Sequence, residues 1–153
     1  MNGKKAAFPG KARTRSHQLG WRIQSDLKAL PVRSNAGAKY AICFVDDASR
    51  RGKSYPMKTK DQAMEMFMKF LAEEVSAKGR KCARLRSDNG GEYIGDEFKA
   101  WCNSHGIEQE FSPPHCQSGN GVSECYWRET FKFVRTVLWD QQCEDTYWAV
   151  ALH

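Results

Sequence analysis

Three acidic residues, far apart in the sequence, are predicted to lie at the ends of structural elements. Asp26 falls late in the first predicted strand, Asp88 follows the fourth strand on a glycine-rich turn, and Glu124 lies in the first turn of a long helix. Hard divalent cations prefer oxygen ligands, and a pair of them about 3.5–4 Å apart stabilises the attacking and leaving oxygens of a phosphoryl transfer. The three carboxylates therefore indicate a site for two Mg²⁺ or Mn²⁺ ions.

Two further acids, Asp46 and Asp47, end the second predicted strand and compete for the same role. We place Tyr40, six residues before Asp46, beside Asp26. At about 3.3 Å per residue this pairing separates Asp46 from Asp26 by about 20 Å, too far to share a metal. Asp46 and Asp47 are expected instead to shape the turn that follows them.

The elements that must position the carboxylates follow from hydrophobic periodicity and turn residues. Strands are predicted at 21–27, 39–45, 54–58, 81–87 and 107–112, and helices at 59–79, 96–104, 122–139 and from 145 onward. The continuous apolar run at 39–45 indicates a central strand covered on both faces, whereas Pro56 favours a sheet edge for the third strand. The order is that of a ribonuclease-H-like α/β fold, a five-stranded mixed sheet flanked by helices, in which the first and fourth strands are neighbours.

The helix predicted at 59–79 has a recognisable start and an apolar face. Thr59 and Gln62 have the spacing of a capping box, and Gly79 ends the helix. Five residues recur at helical spacing and are expected to pack into the core: Met64, Phe67, Met68, Leu71 and Val75.

Length and composition indicate one ordinary globular domain. The 153 residues are 41% hydrophobic and 27% charged, which excludes a disordered or collagen-like chain. No window approaches the roughly 18 apolar residues that a membrane-spanning helix needs, so no membrane partner is expected.

The basic charge is concentrated at the N-terminus. Residues 1–33 hold eight basic side chains and one acidic side chain, whereas the remaining residues hold 16 basic and 17 acidic ones. We interpret residues 1–19 as a basic linker or arm, and residues 20–153 as the folded core. Such an arm either binds phosphate backbones through counterion release or is a solvated tail. The candidate DNA-binding residues in the arm are Lys4, Lys5, Lys11, Arg13 and Arg15.

The six cysteines occur singly and read as reduced thiols of an intracellular protein. Cys102, His105, His115 and Cys116 are the only run that suggests a zinc site. Their spacing matches no common zinc finger, and two adjacent ligands do not easily reach one tetrahedral ion. No zinc is expected in this chain.

Three segments of the chain carry a family resemblance. They are the run from Tyr40 to Arg50, the run Arg86-Ser87-Asp88-Asn89-Gly90-Gly91-Glu92-Tyr93, and the run Gly119-Asn120-Gly121-Val122-Ser123-Glu124. Together they resemble the integrase catalytic core of copia-type (Ty1/copia) LTR retrotransposons, and 35 residues separate Asp88 from Glu124, as in the DD35E arrangement. The resemblance covers about residues 20–153.

The resemblance implies a DDE-type polynucleotidyl transferase. Asp26, Asp88 and Glu124 would be the catalytic metal ligands, and a 3′-hydroxyl of element DNA would attack a target phosphodiester without a covalent enzyme intermediate. DNA would be the partner, the full-length protein would be a homo-oligomer, and the site of action would be the nucleus, with a cytoplasmic particle in an active element. Asn120 and a helical stripe of Arg128, Lys132 and Arg135 would contact DNA.

The chain also departs from the family pattern. Gln24 replaces the usual histidine two residues before the first carboxylate, and Cys125 replaces the basic residue after the glutamate. The family's upstream zinc module is not expected in this chain, more helix is expected after residue 153, and the core is therefore expected to be C-terminally truncated. Two alternatives therefore stay open: a catalytically inactive or domesticated DNA-binding remnant, and a ribonuclease-H-like nuclease that cuts rather than joins.

Overall fold

The computed structural model describes residues 15–113 and 121–152. Within them, one mixed sheet contains β1 (Arg22–Ala29), β2 (Tyr40–Asp46), β3 (Gly52–Met57), β4 (Arg84–Ser87) and β5 (Glu108–Phe111). The strand order is β3-β2-β1-β4-β5. Strands β1, β2 and β3 pair antiparallel, whereas β4 pairs parallel with both β1 and β5. The predicted five-stranded mixed sheet is confirmed, and β1 lies beside β4.

Helices flank the sheet, as predicted. They are α1 (Ala63–Phe70), α2 (Gly91–Ile94), α3 (Asp96–Ser104), α4 (Gly121–Asp140) and α5 (Trp148–Ala151). Helix α1 continues through a π turn at Leu71–Val75 and a 3-10 turn at Ser76–Lys78. Helix α2 was not predicted, because four residues on a glycine-rich turn are too few to show helical periodicity. Across the described ranges, none of these helices has the length and apolar character that crossing a membrane requires.

The two faces of the sheet form two apolar cores, because successive side chains of a strand point to opposite faces. On one face, Ile42 and Phe44 of β2 pack with residues of α1 and α3. On the other face, Ala41, Cys43 and Val45 pack with α4 and α5. Strand β2 is thus covered on both faces, as its apolar run indicated, and β3, which contains Pro56, is an edge strand.

The buried face of α1 differs in part from the predicted stripe. Phe67, Leu71 and Val75 are buried as predicted, but Met68 is 42% exposed and Phe70 is buried instead. Met68 and Phe70 are both apolar, so residue type alone does not show which of them faces the core. The predicted capping box is present, since the Gln62 side chain accepts a hydrogen bond from the Thr59 backbone N–H.

The register of β1 against β2 corrects the predicted pairing. Asp26 lies opposite Cys43, not opposite Tyr40, which pairs with Ala29. Asp46 is therefore three positions from the residue opposite Asp26, about 10 Å rather than about 20 Å. It nevertheless cannot share a metal with Asp26, because residues an odd number of positions apart along the ladder face opposite sides of the sheet.

Asp46 and Asp47 organise the turn after β2, as predicted. The Asp46 carboxylate accepts hydrogen bonds from the Gly20 N–H at 3.0 Å and from the Ser49 hydroxyl at 2.7 Å. The Arg50 guanidinium donates to Asp47 Oδ1 at 3.2 Å. Both carboxylates are thus used within the fold.

Candidate active site

Asp26 lies on the face of β1 that α4 covers. Its neighbour across the sheet is Cys43, and its side chain is nearly buried, with 7% of the residue exposed. Burial, the first cause, raises the pKa of Asp26, and the nearby Asp88 carboxylate raises it further. Lys28 opposes both effects through an ion pair of 3.0 Å between its Nζ and Asp26 Oδ2. Asp26 is therefore a carboxylate whose charge needs a nearby cation.

Asp88 directly follows the end of β4, the strand that pairs parallel with β1. Gln24 and Arg86 form the last pair of this ladder, and Asp26 and Asp88 each lie two residues after it. Asp88 is exposed, and its Oδ1 accepts a hydrogen bond from the Gly90 N–H at 2.9 Å. The structure thus brings together the first two predicted carboxylates closely enough for the charge of one to act on the other.

The turn that carries Asp88 is fastened to both strands beside β4. The hydroxyl of Tyr93 shares a 2.7 Å hydrogen bond with the hydroxyl of Ser25 on β1, and both residues are fully buried. Gln109 on β5 donates from Nε2 to the Tyr93 carbonyl at 2.9 Å. Burial raises the pKa of Tyr93 well above its ordinary value, so its hydroxyl keeps its proton. Tyr93 was not singled out from the sequence.

Glu124 lies in the first turn of α4 and is exposed. Residues next to Glu124 hold this end of α4 on the sheet: Ser123 and Trp127 are buried, and the Tyr126 hydroxyl donates to Ser54 at 3.4 Å. Gly52 on β3 permits this approach, since a Cβ there would lie 2.7 Å from the Tyr126 ring. Over residues 15–113 and 121–152, no three acidic, histidine or cysteine side chains form a group that could hold a metal, so Glu124 does not close onto the two aspartates.

Glu124 nevertheless lies on the α4 face that borders the groove beside β1. Arg128 lies one turn after Glu124 on the same helical face, and Arg128 and Lys28 line one groove between α4 and the end of β1. Lys28 is two residues beyond Asp26 on the same face of β1. On β1, Asp26 precedes the groove residue Lys28. On α4, which packs over this face of β1, Glu124 precedes the groove residue Arg128.

The predicted DNA-binding residues divide into two groups. Arg128 and Arg135 line the groove of about 480 Å³, and Lys132 is exposed on α4 outside it. Arg15 is exposed, and its guanidinium donates to the Ala48 carbonyl. The remaining ones lie outside the described residues: Lys4, Lys5, Lys11, Arg13 and Asn120.

Two of the four residues weighed for a zinc site are described. Cys102 is fully buried, and burial raises the pKa of its thiol to about 11. The His105 ring stacks on Trp101 with 4.1 Å between ring centres. His115 and Cys116 lie outside the described residues.

Lys28 is the main residue of the candidate site that sequence reasoning missed. The signal was available, because residues two apart on a strand share a face, and Lys28 is two residues beyond Asp26. Tyr93 had no such signal, since its partner Ser25 is 68 residues away in the chain.

Comparison with known proteins gives the family. The model of the family described as "Integrase core domain" matches residues 16–116, which contain Asp26 and Asp88 and end before Glu124. The retrovirus-related Pol polyprotein from transposon TNT 1-94 of Nicotiana tabacum is 42% identical over 123 residues, 80% of this chain. That from transposon RE2 of Arabidopsis thaliana is 32% identical over 147 residues, 96% of this chain. The chain spans only 9% and 10% of the lengths of these polyproteins.

A solved structure confirms the fold. A chain of the simian T-cell lymphotropic virus intasome, in complex with PP2A regulatory subunit B56 gamma, superimposes with a TM-score of 0.74 at 18% sequence identity. The match covers 99% of this chain and 53% of that one, and the ribonuclease-H-like fold is thereby shown. With the family match and the transposon relatives, it follows that this chain belongs to the integrase core domain family and is a copia-type retrotransposon integrase core.

Proposed function

We propose that this core joins the 3′ ends of element DNA to target DNA, with Asp26, Asp88 and Glu124 as its catalytic carboxylates. The observation that carries the proposal is the pairing of β1 with β4, because its last pair, Gln24 with Arg86, lies two residues before both Asp26 and Asp88. Membership of the integrase core family supports the reaction class.

The proposed reaction is a single phosphoryl transfer. The oxygen of an element 3′-hydroxyl forms a bond to a target phosphorus, and the bond from that phosphorus to the target 3′-oxygen breaks. The proton of the attacking hydroxyl is released, and the leaving 3′-oxygen takes up one proton. One phosphodiester replaces another, so the step needs neither an oxidant nor a nucleotide cofactor.

The donor set fits Mg²⁺ or Mn²⁺, because both ions prefer carboxylate oxygens. Asp26 and Asp88 would hold such ions together with Glu124, and the ions would stabilise charge on the attacking and leaving oxygens. The raised pKa of Asp26 also fits, since a carboxylate that is costly to ionise when buried gains most from a bound cation.

The remaining residues would orient the DNA. The groove that Lys28, Arg128 and Arg135 line lies beside the carboxylates and offers positive charge to phosphates. We also propose that the full-length protein assembles into a homo-oligomer. It would act in the nucleus and, in an active element, would also be part of a cytoplasmic particle. The structural neighbour is a subunit of an intasome, which supports an assembly.

A second candidate function is DNA binding without catalysis. The specific observation in its favour is the ion pair of Asp26 with Lys28, which occupies a carboxylate oxygen with an ammonium group. That no metal-holding group of three forms among the described residues favours it too.

Disintegration of a branched DNA, the reversal of joining, separates these functions. Wild type should resolve the branch in Mn²⁺, and Glu124→Gln should abolish resolution while leaving fold and DNA affinity unchanged, because only a charge is removed. Glu129→Gln is the matched control, since Glu129 is another exposed glutamate of α4. It should retain wild-type activity.

The other outcomes each point to one alternative. If wild type and Glu124→Gln bind DNA equally and neither resolves the branch, the chain is a binding remnant. If wild type only shortens the strands and rejoins nothing, it is a nuclease. If Glu124→Gln is fully active, Glu124 has no catalytic role.

A further inference from the structure

Lys28 and Asp26 form an ion pair within one strand. They are two residues apart on β1, so both side chains point to the face that α4 covers. The Lys28 Nζ lies 3.0 Å from Asp26 Oδ2, and the lysine side chain is 45% exposed whereas the aspartate side chain is 9% exposed. The carboxylate is therefore fixed and the ammonium group has solvent-side room to move.

This ion pair places a positive charge beside the nearly buried Asp26 carboxylate. Asp26 is nearly buried, and its burial and the nearby Asp88 carboxylate both raise its pKa, which disfavours the charged form. Lys28 supplies the compensating positive charge. A divalent cation on the same carboxylates would supply that charge instead, and would repel an ammonium group at contact distance.

A second place for the Lys28 ammonium lies close by. Lys28 lines the groove of about 480 Å³ together with Arg128 and Arg135 of α4, whose floor is apolar. The lysine headgroup is a point charge on a flexible four-carbon stem, and it binds phosphate without needing a fixed geometry. On turning away from Asp26 it would join the two arginines on the face where the DNA backbone is proposed to lie.

We propose that Lys28 exchanges Asp26 for a DNA phosphate when a divalent cation binds the carboxylates. Lys28 is thus a DNA-binding residue of the metal-loaded state, and it couples the affinity for metal to the affinity for DNA. The inference rests on the proposed function, since it requires a cation on Asp26 and DNA along α4.

The test compares wild type with Lys28→Met in two binding experiments. Mn²⁺ binding without DNA is followed by the rise of the thermal midpoint with Mn²⁺ concentration, and Lys28→Met should bind Mn²⁺ several-fold more tightly because its competitor is gone. Binding of a short fluorescent duplex is followed by anisotropy at matched ionic strength. Mn²⁺ should raise the DNA affinity of wild type by roughly fivefold or more, and that of Lys28→Met markedly less.

Lys132→Met is the matched control, since Lys132 is exposed on α4 but does not line the groove. It should lower DNA affinity by the same factor with and without Mn²⁺, and should leave Mn²⁺ binding unchanged. Lys28→Gln is a second variant that keeps a hydrogen-bond donor to Asp26 while removing the charge. It should behave as Lys28→Met does, and serves if the methionine variant does not fold.

Two results would overturn the inference, and they are distinguishable. If wild type binds Mn²⁺ and resolves branched DNA, but Lys28→Met and Lys28→Gln keep the wild-type coupling and Mn²⁺ affinity, only the exchange of Lys28 is wrong. If folded wild type shows no response to Mn²⁺ at all, the proposed metal-dependent function fails as well.

Discussion

Asp26 carries its charge in the least favourable position of the three predicted carboxylates. Asp88 and Glu124 are exposed, whereas Asp26 is nearly buried and feels the charge of Asp88. Burying a carboxylate and placing a second one nearby both disfavour the ionised form. Asp26 is therefore the carboxylate that would gain most from a bound cation. Without a cation, its charge lowers the stability of the folded state.

The substitution Asp88→Asn should measure how much the charge of Asp88 destabilises the folded chain through Asp26. Asparagine keeps the Oδ1 acceptor for the Gly90 N–H but removes the charge that acts on Asp26. At neutral pH without metal, the thermal midpoint should rise by roughly 1–2 °C, and the response to Mn²⁺ should disappear. Differential scanning calorimetry with and without Mn²⁺ measures both effects. An unchanged Mn²⁺ response would separate Asp88 from the metal site.

The stability that Asp88→Asn should gain without metal is expected to depend on pH in one direction. The pKa of Asp26 is raised in the folded chain, so the folded state takes up the proton at a higher pH than the unfolded state. Its destabilising effect is therefore complete above the folded-state pKa and fades as the pH falls through that value. The advantage of Asp88→Asn should be largest at neutral pH and should shrink on acidification. A gain that grows on acidification would contradict this origin.

At the scale of elements, the site depends on how one short turn and one long helix are attached to the sheet. Tyr93 ties the turn after β4 to β1 through its hydroxyl and to β5 through its carbonyl. Tyr126 ties α4 to β3, where Gly52 leaves room for its ring. These contacts set the positions of Asp88 and Glu124, although neither tyrosine lies among the carboxylates.

The Ser25–Tyr93 hydrogen bond can be measured by a double-mutant cycle. Ser25→Ala leaves the buried Tyr93 hydroxyl without its partner and should cost roughly 1–3 kcal/mol in the free energy of unfolding. Ser25→Ala combined with Tyr93→Phe should cost clearly less than the sum of the single changes, because neither polar group is then orphaned. Urea denaturation measures each variant.

Ser104→Ala is the control for that cycle, because Ser104 is an exposed serine that bonds only within its own helix end. It should change the free energy of unfolding by less than about 0.5 kcal/mol. Strict additivity of Ser25→Ala and Tyr93→Phe would show that the two hydroxyls do not stabilise each other.

At the scale of the whole molecule, the basic side chains predicted to bind DNA lie in two places, the N-terminal arm and one face of α4. Where the described chain begins, the Ser16 N–H donates to Asp47 at 2.9 Å and Arg15 donates to the Ala48 carbonyl. The arm therefore joins the core at the turn after β2. Arg50 in this turn lines a cavity with residues of the first turns of α4, so the arm meets the core near the helix start that carries Glu124.

Deleting residues 1–15 should weaken the salt dependence of DNA binding. The deletion removes five basic side chains and no acidic one. Each lost phosphate contact should reduce the slope of log affinity against log salt by about 0.9, so the slope should become shallower by up to about 4 to 5. Anisotropy titrations over a range of NaCl concentrations give the slopes.

A full-length variant with the same five residues changed to glutamine is the control, since it keeps the chain length and removes only the charge. It should show the same shallow slope as the deletion. Equal slopes for wild type and both variants would identify the arm as a solvated tail.

The sequence by itself determined the order of the strands and of the longer helices, the two-sided burial of β2, the edge position of β3 and the positions of Asp26, Asp88 and Glu124 relative to those elements. These features are local, because periodicity, turn residues and capping act between residues close in the chain. The tertiary structure decided the register that sets Asp26 opposite Cys43 rather than Tyr40, and the bond between Ser25 and Tyr93. Register and such distant contacts arise from packing across the sheet, which has no signature in any one segment. The ion pair of Lys28 with Asp26 depends on both levels. Strand alternation, which the sequence shows, places the two side chains on one face of β1. The burial of Asp26 near Asp88, which only the tertiary structure shows, makes a compensating positive charge favourable.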